Sequence, residues 1–259
     1  INPATYETIG SYADDGATAA RDAVNAAATA FRRTPWAHDV ELRARVLDQM
    51  AAAMERHRER LIAILSLENG KIGSEAALEA DGSPGKLRYW AAMARTEAGR
   101  ALQPRPGSIS IVLRQPIGVA GVIVPWNSPV ILAVRSFAPA LAAGCTVVVR
   151  MPGQAAQVAS VLSEILAEAP DLPAGVVNIF AESDRQGAEH LVESETVPTI
   201  SFTGSTRTGA AIGAIGARRI KRFGLELGGK APMIVFDDAD VASMIPVLEK
   251  ALTVFAGQF

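Results

Sequence analysis

The sequence predicts an α/β fold built on a doubly wound parallel sheet, and two observations support that prediction. Residues 119–124 form a continuous apolar run, V-A-G-V-I-V, which is typical of a strand buried on both faces. From residue 129 onward, segments with helical periodicity alternate with short apolar segments, as in right-handed β-α-β crossovers. The 259 residues are 49% hydrophobic and 20% charged, which suits a soluble chain with a sizeable core.

The first third of the chain is predicted to be helical. Residues 16–31 are alanine-rich with helical spacing, and residues 39–68 place leucine, valine and methionine on one face and arginines on the other. A third helix over residues 73–98 is predicted to be interrupted by the Gly-Ser-Pro-Gly stretch 82–85. Alternating polar and apolar residues at 108–113 predict a half-exposed strand.

The remaining elements are predicted from the alternation itself. Helices are expected at residues 129–142, 155–167, 184–193 and 208–217, and strands at residues 119–124, 146–150, 176–180, 199–202 and 223–227. Ligands of such sheets bind beyond the carboxyl ends of the strands. A functional site is therefore expected in the loops after Val124, Arg150, Phe180 and Phe202.

Charge and cysteine content disfavour several classes of protein. The formal net charge of -2 and the pI near 6.0 predict no attraction to nucleic acid or to an anionic membrane. The apolar stretch 130–149 contains Arg135, Pro139 and Gly144, which disfavours a membrane span. No signal peptide is expected, because no basic segment precedes an apolar core. The single cysteine, Cys145, indicates a reducing compartment such as the cytoplasm.

Residues 125–129, P-W-N-S-P, follow the first buried strand. The two prolines limit backbone freedom around Asn127, and a rigid amide donor is what an oxyanion requires. The alternative is that Asn127 only caps the helix that begins at Pro129, a common role for asparagine.

Residues 203–209, T-G-S-T-R-T-G, connect a strand to a helix through glycines and small hydroxyl side chains. Amide groups at a helix N-terminus bind phosphate, and a glycine lets the backbone approach a ligand closely. The spacing is not G-x-G-x-x-G, so Gly204, Ser205 and Gly209 fit a helix cap as well as a phosphate site.

Residues 225–230, L-E-L-G-G-K, place one carboxylate, Glu226, between two leucines and before two glycines. This setting predicts a carboxylate shielded from water, as a general base requires. Gly224, Gly229 and Lys230 also fit the phosphate-loop pattern G-x-x-x-x-G-K. That loop needs a magnesium-binding Ser or Thr where this chain has Ala231, which disfavours a nucleotide triphosphatase.

Together these three motifs resemble the NAD(P)-dependent aldehyde dehydrogenase superfamily in order and approximate spacing. The resemblance extends over the whole chain, from N-P-A-T at 2–5 through R-Q-P-I-G-V at 114–119 and A-L-A-A-G at 140–144 to F-A-G-Q at 255–258. It implies oxidation of an aldehyde to a carboxylic acid, with NAD or NADP as cofactor and a small-molecule aldehyde as substrate.

The resemblance also implies roles for individual residues. Asn127 resembles the side-chain member of the oxyanion hole, and Glu226 resembles the base that activates water to hydrolyse a thioester intermediate. The implied cofactor-binding residues are Ile123, Trp126, Arg150, Gly204, Ser205, Gly209 and Leu227. No metal site is implied.

The position of the nucleophile differs from the family pattern. The family uses a cysteine that follows a G-Q-x segment, forming first a thiohemiacetal and then a thioester, whereas G-Q-F at 257–259 ends this chain. The nucleophile is therefore expected at the next position, and the chain alone is expected to be inactive. Cys145 begins a strand and is expected to be a small buried hydrophobe.

The ribose contact differs as well. The family commonly has K-P-[SA]-E where this chain has R-M-P-G at 150–153. Loss of the glutamate removes a repulsion toward a 2′-phosphate, and Arg150 can pair with one. Both NAD and NADP remain open, as does a different backbone path through Pro152 and Gly153.

The resemblance implies a particular domain organisation. Residues 1–97 and 117–228 would form a Rossmann-like cofactor domain, residues 98–116 a β-hairpin arm for assembly, and residues 229–259 the first strand and helix of a second α/β catalytic domain. A homodimer or homotetramer is implied. The alternative is a non-catalytic nucleotide-binding or oligomerisation module, which Asn127 and Glu226 disfavour because such a module needs neither an oxyanion donor nor a base.

Overall fold

The computed structural model describes residues 1–14 and 16–258 and confirms the predicted fold class, a parallel sheet with helices on both faces. The α-helices are α1 (Gly16–Arg33), α2 (Val40–Arg56), α3 (Arg58–Asn69), α4 (Gly73–Thr96), α5 (Pro129–Ala142), α6 (Ala156–Ala167), α7 (Gln186–Glu193), α8 (Thr206–Ala217) and α9 (Val241–Thr253). The strands are β1 (Arg100–Arg105), β2 (Ser108–Val112), β3 (Val119–Ile123), β4 (Thr146–Pro152), β5 (Val177–Glu182), β6 (Thr199–Gly204) and β7 (Arg222–Leu227).

The parallel sheet has the strand order β5-β4-β3-β6-β7. The chain runs outward from β3 through β4 to β5, then crosses back to β6 on the other side of β3. Strand order therefore reverses between β3 and β6, where Ile123 and Phe202 are register partners. Folds of this kind bind ligands in the crevice at such a reversal, beyond the carboxyl ends of the strands.

Each face of the sheet covers its own hydrophobic core. Val122 and Val147 belong to the cluster beneath α2 to α6, whereas Val119 and Val148 belong to the cluster beneath α1, α7 and α8. Alternate side chains of one strand point to opposite faces, so a strand with a core on each side is apolar throughout. This explains the continuous apolar run, and every residue of β3 is buried.

Two details of the helical prediction are wrong. The helix predicted over residues 39–68 is split into α2 and α3, because the backbone at His57 leaves helical geometry with φ -102° and ψ 20°. The interruption predicted at residues 82–85 is absent, and α4 continues through Pro84. Ser83 and Leu87 on this face are fully buried, so packing against α2 and α5 outweighs the local cost of proline and glycine.

The hairpin predicted near residue 108 is present, whereas the segment after residue 229 forms only part of its predicted structure. β1 and β2 form an antiparallel hairpin, in agreement with the strand predicted at residues 108–113. Of the strand and helix expected within residues 229–259, the helix forms as α9, whereas the apolar residues 231–236 are irregular and exposed. A strand requires a neighbour, and none of the described residues lies beside them in a sheet. Phe259, after which the nucleophile is expected, lies outside the described residues.

Candidate active site and cofactor crevice

Three predicted site residues lie at the carboxyl edge of the parallel sheet. Asn127 follows β3, Ser205 follows β6, and Glu226 is the penultimate residue of β7. Thr203 of β6 is the register partner of Glu226. Because parallel strands end at one edge, the topology brings these residues to the same side of the sheet.

Asn127 lies half-buried in the turn between β3 and α5. Its Nδ2 donates to the backbone carbonyl of Gln258 at 2.9 Å. The capping role left open by the sequence falls to another residue, because Glu79 Oε1 accepts from the backbone amides of Val130 at 2.6 Å and Ile131 at 3.1 Å. The Asn127 amide is thereby directed at the segment that precedes the expected nucleophile.

Lys71 and Glu79, which support the Asn127 turn, were missed in the sequence. The Lys71 ammonium donates to Glu79 Oε2, and both side chains are 0% exposed. A signal was available in the spacing, because Glu79 lies three residues after Ala76 and four before Ser83, on the buried face of α4. A carboxylate in that position requires a buried partner.

Glu226 is not shielded from water in the described residues, and that prediction is wrong. Its side chain is 68% exposed, and the nearest cation is Arg135, whose Nη1 lies 4.0 Å from Glu226 Oε2. The cause is topological, since β7 is the edge strand of the sheet and has a neighbour on one side only. The described residues therefore do not provide the shielding from water that the proposed role of Glu226 as a general base requires.

The glycine and hydroxyl loop after β6 begins α8. Ser205 Oγ accepts from the amide of Thr208 at 3.2 Å and so caps the helix, which is one of the two roles that the sequence left open. A Cβ at Gly209 would come within 2.5 Å of Leu227 Cδ2, and one at Gly204 within 2.5 Å of the Phe202 ring. A side chain at either position would therefore have to displace the end of the Leu227 or Phe202 side chain.

Buried or half-buried carboxylates from other elements occupy the N-termini of three neighbouring helices. Glu79 accepts from the first turn of α5, Glu68 from that of α6 at 2.9 and 2.7 Å, and Glu182 from that of α7 at 2.6 and 2.9 Å. In residues 1–14 and 16–258, no carboxylate accepts from the first turn of α8, where Ser205 and Arg207 are exposed. The amide groups of that turn lack intrahelical acceptors, so α8 begins at the crevice with an exposed first turn whose cap is the Ser205 hydroxyl.

Arg150 is engaged by the end of β5 and by the loop that follows it. Its Nε donates to Glu182 Oε1 at 2.8 Å, and its Nη2 donates to the carbonyls of Asp184 at 2.7 Å and Glu182 at 3.3 Å. The Arg150 side chain is 14% exposed and that of Glu182 is 0% exposed. Pairing with a 2′-phosphate through Nε would require this buried ion pair to open.

The other predicted residues differ in exposure. Ile123 is buried beneath the crevice, whereas Trp126 and Leu227 are more than a third exposed. Cys145 is buried as predicted, and burial raises the pKa of its thiol. A thiol held in the neutral form is a poor nucleophile, so the structure gives Cys145 a packing role.

Two further searches bear on the class of site. In the described part of the chain, no group of three or more His, Cys, Asp or Glu residues is placed to hold a metal ion. No helix among the same residues has the length and apolar character needed to cross a membrane.

The sheet order, the reversal point and the open end of α8 define the class of Rossmann-like α/β domains. Comparison with known proteins gives the family. The chain belongs to the aldehyde dehydrogenase family, whose sequence pattern matches residues 1–259. It is therefore related to oxidoreductases that act on aldehydes.

Individual relatives agree with this assignment. The chain is 40% identical to geranial dehydrogenase of Castellaniella defragrans, covering 100% of this chain and 54% of the relative. It is 34% identical to betaine aldehyde dehydrogenase of Bacillus subtilis, covering 100% and 53%. The chain thus spans about half the length of the curated relatives it matches.

Solved structures show the same fold. The NAD-dependent aldehyde dehydrogenase of Sinorhizobium meliloti superposes with a TM-score of 0.95 at 35% identity, over 100% of this chain and 52% of that one. An NADP-dependent enzyme of E. coli superposes with a TM-score of 0.94 at 35% identity, over 100% and 53%. The backbone of this chain therefore follows one half of such an enzyme.

Proposed function

We propose that this chain is the cofactor-binding half of an NAD(P)-dependent aldehyde dehydrogenase, which oxidises an aldehyde to a carboxylic acid. The observation that supports it best is the N-terminus of α8, which opens at the strand-order reversal while carboxylates occupy the ends of α5, α6 and α7. An exposed helix N-terminus at this position fits the pyrophosphate of a dinucleotide.

The residues of the crevice fit this cofactor. Ser205 and the first-turn amides of α8 would hold the pyrophosphate, with Gly204 and Gly209 letting the backbone approach it. Ile123, Trp126 and Leu227 would form the apolar wall. When bound there, NAD or NADP supplies the hydride acceptor that converts a thiohemiacetal to a thioester. Arg150 is occupied by Glu182, so we assign it no dedicated contact with a 2′-phosphate and leave both cofactors as candidates.

The catalytic groups that we propose are Asn127 and Glu226, together with a cysteine expected after Phe259. Asn127 would donate to the oxyanion that forms when the thiolate attacks the aldehyde carbon. Glu226 would take a proton from the water that cleaves the thioester, releasing the carboxylic acid and the free thiol. Its exposed carboxylate must be covered for this role, and we place that cover in the half of the relatives that this chain does not span.

The substrate, partners, compartment and assembly that we propose follow from the same family. We propose a small-molecule aldehyde as substrate, no nucleic-acid or membrane partner, and a cytoplasmic homodimer or homotetramer. The hairpin of β1 and β2 exposes Leu102, Ile109 and Ile111, and an apolar surface of this kind suits a subunit contact.

The cofactor site is tested with two variants of one residue. Aspartate and asparagine both cap helices about as well as serine, so Ser205→Asp and Ser205→Asn should fold alike. Only Ser205→Asp places a negative charge beside the pyrophosphate. Titration of NAD and NADP by calorimetry should show at least a tenfold weaker affinity for Ser205→Asp and near wild-type affinity for Ser205→Asn. Equal affinities for the two variants would refute the site.

Two observations favour a second candidate, a nucleotide-binding module without catalysis. Glu226 is exposed, and the only thiol of the 259 residues is the buried Cys145. The intact mass of the natural gene product, compared with 27.1 kDa, separates the two candidates. A mass near twice that value with aldehyde-dependent NAD(P)H formation supports the enzyme, whereas a mass of 27.1 kDa with cofactor binding alone supports the module.

A further inference from the structure

A buried ion pair lies directly behind the turn that carries Asn127. Lys71 comes from the turn between α3 and α4, and Glu79 from the second turn of α4; both side chains are 0% exposed. Burying two charges is costly unless their remaining polar atoms are also satisfied. The other partners of the pair therefore show which parts of the molecule it holds.

Glu79 fixes the residues that follow Asn127. Its Oε1 accepts from the amides of Val130 and Ile131, the first turn of α5. Ser128 precedes this helix without a capping bond from its own side chain, so α4 supplies the cap to α5. A carboxylate is favoured there by the positive end of the helix dipole. Lys71 Nζ lies 3.5 Å from Ser128 Oγ and adds a second contact to the same turn.

Asn69 fixes the residue that precedes Asn127. Its Nδ2 donates to the carbonyl of Trp126 at 2.7 Å, and Asn69 itself is buried. The backbone on both sides of Asn127 is thus bonded to side chains from residues 69–79. The orientation of the Asn127 amide depends on those bonds rather than on the turn alone.

The same support holds the segment that Asn127 faces. The amide of Phe255 donates to Glu75 Oε1 at 2.8 Å. Lys71 Nζ lies 4.8 Å from the centroid of the Phe255 ring, a cation-π contact that is strengthened by burial. Three residues after Phe255, the carbonyl of Gln258 accepts from Asn127 Nδ2. α4 and the turn before it therefore contact residues close in sequence to each partner of that hydrogen bond.

We propose that Lys71 and Glu79 are positioning residues for aldehyde oxidation, setting the Asn127 amide against the segment that leads to the nucleophile. They act through the first turn of α5 and through Phe255, and neither touches the reacting atoms. The effect on rate rests on the proposed function, because it requires Asn127 to hold the oxyanion. The effect on the geometry of the turn does not.

The first test measures positioning without catalysis, on the 259-residue chain. Glu79→Gln keeps the side-chain volume but places an amide against the Lys71 ammonium, and hydrogen exchange of residues 128–132 is expected to rise at least tenfold. Glu68→Gln is the matched control, because Glu68 caps α6 in the same way. That control should accelerate exchange in α6 and leave residues 128–132 unchanged. Unchanged exchange at residues 128–132 in Glu79→Gln would overturn the proposal.

A second variant is used if Glu79→Gln does not fold. Lys71→Met combined with Glu79→Gln removes both buried charges. The same rise in hydrogen exchange is expected, because Phe255 and Ser128 lose their contacts with Lys71.

The second test separates positioning from loss of stability, on the complete dehydrogenase. Glu79→Gln should lower kcat at least tenfold with the KM for aldehyde and the Kd for NAD(P) unchanged. Added to Asn127→Ala, it should cost little more, since both variants remove one function. Additive losses, or a kcat equal to that of Glu68→Gln, would overturn the positioning role. If Asn127→Ala alone leaves kcat intact, the proposed function fails instead.

Discussion

The side-chain amide of Asn127 donates a hydrogen bond to the backbone carbonyl of Gln258, a residue 131 positions later in the chain, at 2.9 Å. The bond joins the loop after the first parallel strand to the segment that precedes the position we propose for the nucleophile. An amide donor held at that junction is suited to an oxyanion that forms one or two residues further on.

Removal of the Asn127 donor gives the first prediction. In the complete dehydrogenase that we propose, Asn127→Ala should lower kcat by about 10² to 10³ with little change in KM, because one oxyanion donor stabilises only the transition state. Asn127→Asp, which keeps the shape but presents an acceptor, should be at least as slow. Steady-state kinetics with saturating cofactor measure both. A variant with wild-type kcat would remove Asn127 from the catalytic groups.

The buried carboxylate of Glu182 gives a prediction about stability. It accepts from two amides of α7 and from Arg150, so Glu182→Gln leaves the guanidinium without its counter-ion. The free energy of unfolding should fall by about 3 kcal/mol. Glu189→Gln on the same helix is the control, because Glu189 pairs with the exposed Arg185, and its cost should stay within about 0.5 kcal/mol. Urea denaturation distinguishes the two, and equal losses would contradict the structural role of Glu182.

Two helical glycines give a matched pair of substitutions. A Cβ at Gly187 would come within 2.6 Å of the carbonyl oxygen of Gly16, where α1 crosses α7, whereas a Cβ at Gly213 meets nothing within 4 Å. Gly187→Ala should therefore destabilise the protein by about 1 to 3 kcal/mol. Gly213→Ala should stabilise it by about 0.5 to 1 kcal/mol, because alanine loses less entropy in a helix. Thermal unfolding of the two variants tests the close approach, and shifts of the same sign would argue against it.

The fold was more predictable than the site, for physical reasons that individual residues make clear. The apolar run of β3 follows from burial on both faces and is a local property of the sequence. The passage of α4 through Pro84 is not local, because it depends on packing against α2 and α5. The leucine neighbours of Glu226 predicted that its carboxylate is shielded from water. It is exposed because β7 is an edge strand, and the order of strands in a sheet cannot be read from the sequence of one strand.

The support of the Asn127 turn was missed for a related reason. Lys71 and Glu79 meet Val130 and Phe255, residues that are distant in sequence. A sequence search for catalytic motifs finds the polar residues that reach a ligand. It does not find the buried polar residues that position those catalytic residues. They can be found only if a charged residue on the apolar face of a helix is taken to indicate a buried partner of opposite charge.

Lys221 gives the last prediction, a dependence of stability on pH. Its ammonium donates to the carbonyls of Ser194 and Val197, yet burial, with a smaller repulsion from Arg219, lowers the pKa of Lys221 to about 8. In the unfolded chain a lysine titrates near pH 10.4. Between about pH 8 and 10.4 the unfolded state therefore binds a proton that the folded state has released. The free energy of unfolding contributed by Lys221 should rise with pH across that window.

The measurement compares the wild type with Lys221→Met at several pH values. The difference in unfolding free energy, wild type minus variant, should increase by on the order of 1 kcal/mol from pH 8 to pH 10.4, a figure reduced for screening by nearby water. Lys250→Met at an exposed position of α9 is the control for the loss of one lysine. A Lys221 difference that is constant or falls over the same window would show that the two carbonyls, rather than burial, govern the proton of Lys221.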